Sequence, residues 1–213
     1  MTNELIELVK SNASAIFGLL GVILGGSTTF ITSYIRTKQD YRYKIFAKLI
    51  DRKIYAHEVA INLAYEMRVM LSPAKLDANN ELVRYPQILA SDKSFTNWFA
   101  HFTLEVNRVS SWLTVDVRRE LNLIQDYICN IHLKLDAADS DTHIAVGKIV
   151  RQDFIDFSSE LEQKAFQYFR KGVLKLDIGD INNWHKYDQG LTETRLKETQ
   201  FFKNISTINE LTE

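Results

Sequence analysis

The chain has 213 residues, with 26 Lys and Arg against 27 Asp and Glu for a formal net charge of −1, and is 46% hydrophobic and 25% charged. These values fit one folded domain of ordinary size, or a small domain with an appendage, and exclude a disordered chain or a whole-surface polyanion binder. One cysteine and two prolines exclude a disulfide framework and a Cys-rich zinc site, and eight glycines are too few for a collagen-like or many-turned β chain.

A mean hydropathy of −0.18 conceals one segment unlike the rest. After a ten-residue tail, SNASAIFGLLGVILGGSTTFITSYI holds 25 uncharged residues between Lys10 and Arg36. As a helix it extends roughly 37 Å, enough to cross a hydrocarbon core of about 30 Å with some tilt. A signal peptide fits less well, because Glu4 and Glu7 precede the run and no small-residue cleavage site precedes Arg36. Beyond the run come Arg36, Lys38, Arg42, Lys44, Lys48, Arg52 and Lys53, against Asp40 and Asp51. This basic side predicts a cytoplasmic C-terminal portion and an N-terminus outside, with Tyr34, Tyr41 and Tyr43 in the aromatic belt. The cell inner membrane is the expected location of this bacterial-type single-pass chain.

Within the span, Ser14, Gly18, Gly21, Gly25, Thr28 and Thr32 recur at intervals of 4, 3, 4, 3 and 4. Small residues in one seam let membrane helices approach closely, and threonines can hydrogen-bond across such a contact. The seam predicts a homo-oligomer, with these six residues at the assembly surface or lining a passage. Residues 1–53 hold 8 basic and 4 acidic side chains, and the other 160 hold 18 and 23. Positive charge therefore gathers where anionic lipid headgroups would lie, at Arg36, Lys38, Arg42 and Lys44.

Neither glycine nor proline occurs from Ser27 to Ser72, so the membrane helix is predicted to continue to about Leu71, ending ahead of Pro73. Its inner side is carried on by Phe46, Leu49, Ala56, Ala60, Leu63, Met67 and Met70. The stretch 73–94 reads as a connection. A helix then begins near Ser94, with Phe95, Trp98, Phe99 and Phe102 on one face. Thr114 is placed as the N-cap of the next, whose apolar face is Val117, Leu121, Ile124, Ile128, Ile131 and Leu135. Past the Asp139 cluster a third helix buries Val150, Phe154, Phe157, Leu161, Ala165 and Tyr168 and ends at Gly172. After a loop with Gly179 and Gly190, a last helix carries Leu191, Glu198, Phe202, Ile205 and Ile208. The expected fold is all-α: a 1–10 extracytoplasmic tail, an 11–35 transmembrane helix, and a 36–213 cytoplasmic domain forming a bundle of four or five helices.

Motifs for chemistry are sparse. Cys129 sits beside a buried helix face and is expected in the core. His57, His101, His132, His143 and His185 form no metal-binding spacing, and no phosphate-binding glycine loop occurs, so no cofactor or metal is expected. Arg52-Lys-Ile-Tyr-Ala-His57 matches the Arg-x4-6-His pattern of HEPN ribonucleases, all-α domains that pair to bring both residues to RNA. Such a histidine could move the proton of a 2′-hydroxyl, and the arginine could stabilise charge on the phosphate. Lys53 stands where active members carry a small polar residue, and positions five apart on a regular helix point about 140° apart. His57 is accordingly expected on a helix surface.

With one N-terminal membrane helix, an α-helical body and this motif, the chain resembles the membrane-anchored accessory proteins of type VI RNA-guided CRISPR immunity. The resemblance rests on overall architecture plus Arg52 and His57. It implies oligomerisation into a membrane pore that strengthens antiviral defence. Two other readings stand beside it: a membrane-tethered ribonuclease using Arg52 and His57 with RNA as its partner, and a passive anchor that holds a protein partner through its helical body.

Overall fold

In a computed structural model, residues 11–73, 82–136, 138–171 and 189–212 are described. They are all-α apart from one antiparallel pair of two-residue strands. The elements run α1 (Ala13–Arg68), β1 (Met70–Leu71), β2 (Tyr85–Pro86), α2 (Asp92–Val109), α3 (Val115–Leu135), α4 (Ser140–Lys171), α5 (Gln189–Lys197), α6 (Gln200–Lys203) and α7 (Ile205–Thr212). Single 3₁₀ turns occupy Gln87–Leu89 and Ser110–Trp112. The chain divides into two compact units, Met1–Leu49 and Ile50–Glu213.

In the first unit the described residues are those of α1 up to Leu49. Its large apolar side chains stand exposed on every side of the helix: Phe17 is 72% exposed, Val22 75% and Phe30 73%.

In the second unit, burial follows the 3.6-residue period. On α1, Ala56, Ala60, Leu63 and Met67 are buried, so this stretch lies against the core on one stripe. Every residue expected on the inner faces of α3 and α4 is buried, from Val117 to Leu135 and from Val150 to Tyr168. On α2, Phe95 and Phe102 are fully buried, whereas Trp98 and Phe99 pack at the edge. Its N-cap is Ser91, whose hydroxyl accepts the Ser94 N–H at 3.2 Å, three residues before the expected start.

Three expectations need correction. Helix α1 ends at Arg68 rather than Leu71, because Met70 and Leu71 leave the helix to pair with Pro86 and Tyr85. The Gln87 N–H reinforces that turn by donating to the Val69 carbonyl at 2.9 Å. The single last helix is three short ones, broken at Thr199 and Asn204. Asp153 causes the first break by accepting the N–H groups of Gln200 and Phe201 at 2.8 and 3.0 Å, which supplies the partners an N-terminus lacks. The break changes the buried face: Phe201 is 1% exposed, Phe202 is only half-buried, and Leu191 is 53% exposed. Cys129 is half-buried rather than in the core. The expected Gly172 cap and the Gly179 loop lie outside the described residues.

Helix α4 also carries a glycine the periodicity did not single out. A Cβ on buried Gly147 would stand 3.1 Å from the Tyr85 Cβ and 3.4 Å from the Leu89 Cβ. The hairpin and the 3₁₀ turn thus approach α4 at a distance a side chain would hold open.

Candidate functional site

The seam of α1 is open along its length. Ser14, Gly18, Gly21, Gly25, Thr28 and Thr32 are all exposed, and a Cβ added at any of its three glycines would meet nothing within 4 Å. Eighteen residues in five intervals average 3.6, the helical repeat, so the stripe runs straight along the axis. The hydroxyls of Thr28, Thr32 and the neighbouring Thr29 are already engaged within the helix. Thr32 donates to the Thr28 carbonyl at 2.5 Å, Thr29 to the Gly25 carbonyl at 2.7 Å, and Thr28 to the Leu24 carbonyl. Back-bonding of this kind satisfies these three donors inside the helix, as an apolar medium requires. Among the described residues, α1 is the one helix long and apolar enough to cross a membrane. Arg36, Lys38, Arg42 and Lys44 follow, every one exposed.

Arg52 and His57 are both built into packing. The Arg52 guanidinium lies 5.1 Å from the centroid of the Trp112 ring, a cation–π contact at the exposed edge. His57 is fully buried, not on the surface. Its ring stacks on Tyr168 with centroids 3.9 Å apart and meets Phe169 edge-on at 6.3 Å. The reason is register: His57 stands between Ala56 and Ala60 on the stripe of α1 that faces α4.

Both imidazole nitrogens have partners. Nδ1 lies 2.7 Å from the Lys53 carbonyl, and Nε2 lies 3.3 Å from the Thr114 hydroxyl and 3.4 Å from its backbone N–H. A carbonyl can only accept, so Nδ1 carries the proton and Nε2 accepts from Thr114. Burial, with the Lys53 charge adding to it, lowers the His57 pKa to about 4 against the opposing pull of the Lys53 carbonyl. Thr114 does hold the N-cap position of α3, but its hydroxyl makes no cap bond and faces His57 instead.

Other polar constellations escaped the sequence reading. Glu120 is fully buried and takes two hydrogen bonds from Arg195, each 2.8 Å, with Lys164 at 2.5 Å. Glu160 joins them in a set of two acids and two bases, 2.7 Å from Arg195 and 2.8 Å from Lys164. Asp153 accepts the Tyr127 hydroxyl at 2.7 Å besides its two backbone donors, and burial still raises its pKa. Glu66 accepts the Trp98 indole N–H at 2.9 Å. Among the described residues, no group of three His, Cys, Asp or Glu could hold a metal ion.

No protein-family model matches the chain, and neither a curated protein nor a solved structure is detectably similar to it.

Proposed function

We propose that this chain is a single-pass membrane protein that works without catalysis, by assembling through α1 and presenting a helical bundle to the cytoplasm. The observation that carries the reading is the exposed, uncharged apolar stretch 11–35 followed directly by Arg36, Lys38, Arg42 and Lys44. So large an apolar surface has no place in water unless it is covered, and a bilayer followed by anionic headgroups covers it with the right chemistry at each level. The N-terminus then lies outside the inner membrane. The straight seam from Ser14 to Thr32 supplies a self-contact, and a ring of such helices would enclose a passage. Antiviral pore formation is the activity implied by the resemblance to the CRISPR accessory proteins.

The packing of Arg52 and His57 favours this reading over a tethered ribonuclease. A general base must reach its proton, whereas His57 is buried with both nitrogens engaged.

Native mass of the full-length protein in mild detergent tests the proposal. A discrete multiple of 24.7 kDa that collapses in Gly21→Leu or Gly25→Leu supports assembly through the seam. A monomer, or a multimer indifferent to both substitutions, overturns it.

A further inference from the structure

Beside the C-terminal end of α1, the 3₁₀ turn Gln87–Leu89 and α2 border an open cleft of about 480 Å³ lined by Glu66, Val69, Ile88, Asn97, Trp98 and His101, among others. We propose that this cleft is a binding site for a small organic cation, an ammonium or guanidinium carried on an apolar stem.

Four features converge on that chemistry. Glu66 presents a carboxylate whose Oε2 is held by the Trp98 indole N–H at 2.9 Å. Its Oε1 lies 3.6 Å from His101 Nε2, an ion pair only with a protonated imidazole, and beyond hydrogen-bond distance, so beside a neutral His101 it keeps its acceptor capacity for a ligand. Trp98 is fixed in turn by its tilted contact with Phe102, ring centroids 5.2 Å apart, and indole is the aromatic surface that attracts cations best. The C-terminal end of α1 lies here too, and the carbonyls ending a helix favour positive charge.

Of the groups facing the cleft, His101 opposes a cation only when its imidazole is protonated and paired with Glu66. No lysine or arginine is among the described residues that line the cleft. Arg68, one residue before Val69, is paired with Glu162 at 2.6 Å. At the start of α2, the Ser94 N–H is taken by the Ser91 hydroxyl. Val69 and Ile88 give the stem an apolar wall, and the volume falls within the range of small-ligand sites. This proposal does not depend on how α1 meets the membrane.

The test is calorimetric titration of the full-length protein in detergent at pH 8, with 2-phenylethylammonium as the probe and 2-phenylethanol as its neutral analogue. Saturable binding of the cation below about 1 mM, with the alcohol at least tenfold weaker, is expected. Glu66→Gln keeps an acceptor for Trp98 while removing the charge, and should weaken the cation at least tenfold. Asn97→Lys puts a tethered ammonium at an exposed edge of the cleft and should abolish binding without disturbing the core. The proposal is overturned by the absence of saturable binding, by equal binding of the alcohol, or by either variant binding the cation as the unmodified protein does.

Discussion

The imidazole of His57 lies nearly flat on the phenol ring of Tyr168, with centroids 3.9 Å apart and 16° between the planes. The contact joins α1 to α4, and the bonds to Thr114 add the start of α3. One neutral histidine thus ties three helices together at the place where a sequence motif suggested catalysis.

That geometry makes folding sensitive to acid. The pKa falls from 6.5 to about 4 on folding, so between those values the unfolded chain binds a proton that the folded chain refuses. The contribution is full above pH 6.5 and is lost as pH falls towards 4. It amounts to about 3 kcal/mol when complete. Urea denaturation followed by tryptophan fluorescence should show stability falling across this window, with a shallower slope in His57→Gln. Some slope will persist, because burial also lowers the pKa of His143. An unchanged slope in the variant would refute the role given to His57.

Gly147 makes a second prediction. Alanine there gains helix propensity and loses clearance, but valine adds two methyl groups to a Cβ already 3.1 Å from Tyr85. Overpacking of this kind costs about 1–3 kcal/mol. Gly147→Val should lower the urea midpoint accordingly, and Gly26→Val, off the Ser14–Thr32 seam and with no atom within 4 Å, should leave it unchanged.

The apolar faces of α3 and α4 were legible in the sequence because hydrophobic periodicity is a local signal that burial then obeys. What escaped were polar residues standing in the same register. Glu120 follows Val117 by three, Asp153 follows Val150 by three, and His57 precedes Ala60 by three, so each lies on a buried stripe. Periodicity marks such residues as exceptions without naming their partners, which come from distant segments: Arg195 for Glu120, Gln200 for Asp153, Thr114 for His57. The fracture of the last helix was invisible for the same reason, since Asp153 on α4 draws two N–H groups out of it. The exposed stripe from Ser14 to Thr32 was legible as a stripe, because its alignment depends on one helix alone.

The proposed topology can be read with a single thiol. In a Cys129→Ser background, Thr2→Cys should react with a membrane-impermeant maleimide from outside intact spheroplasts, and Ser206→Cys only after the membrane is opened. Reaction of both from the same side would exclude a single crossing by residues 11–35.

The charged set around Glu120 yields the last prediction. Glu120 is fully buried, and its partners Lys164 and Arg195 have side chains 25% and 29% exposed. Removing the carboxylate takes the buried partner from both cations, and Glu160, which they share, is itself 42% exposed, so the penalty comes mostly from charge that has lost its buried counterpart. Breaking a buried pair costs about 3–5 kcal/mol, and the exposure of the cations places Glu120→Ala near the lower end. A double-mutant cycle with Arg195→Met should return a coupling of about 1–3 kcal/mol, because the second change removes one of the stranded charges. Arg195 is what fastens α5 to α3 and α4 in this set, so hydrogen exchange over Gln189–Lys197 should accelerate in Glu120→Ala while Val150–Leu161 stays protected. Additive single effects, or acceleration spread equally over both segments, would show that the four charges do not act as one unit.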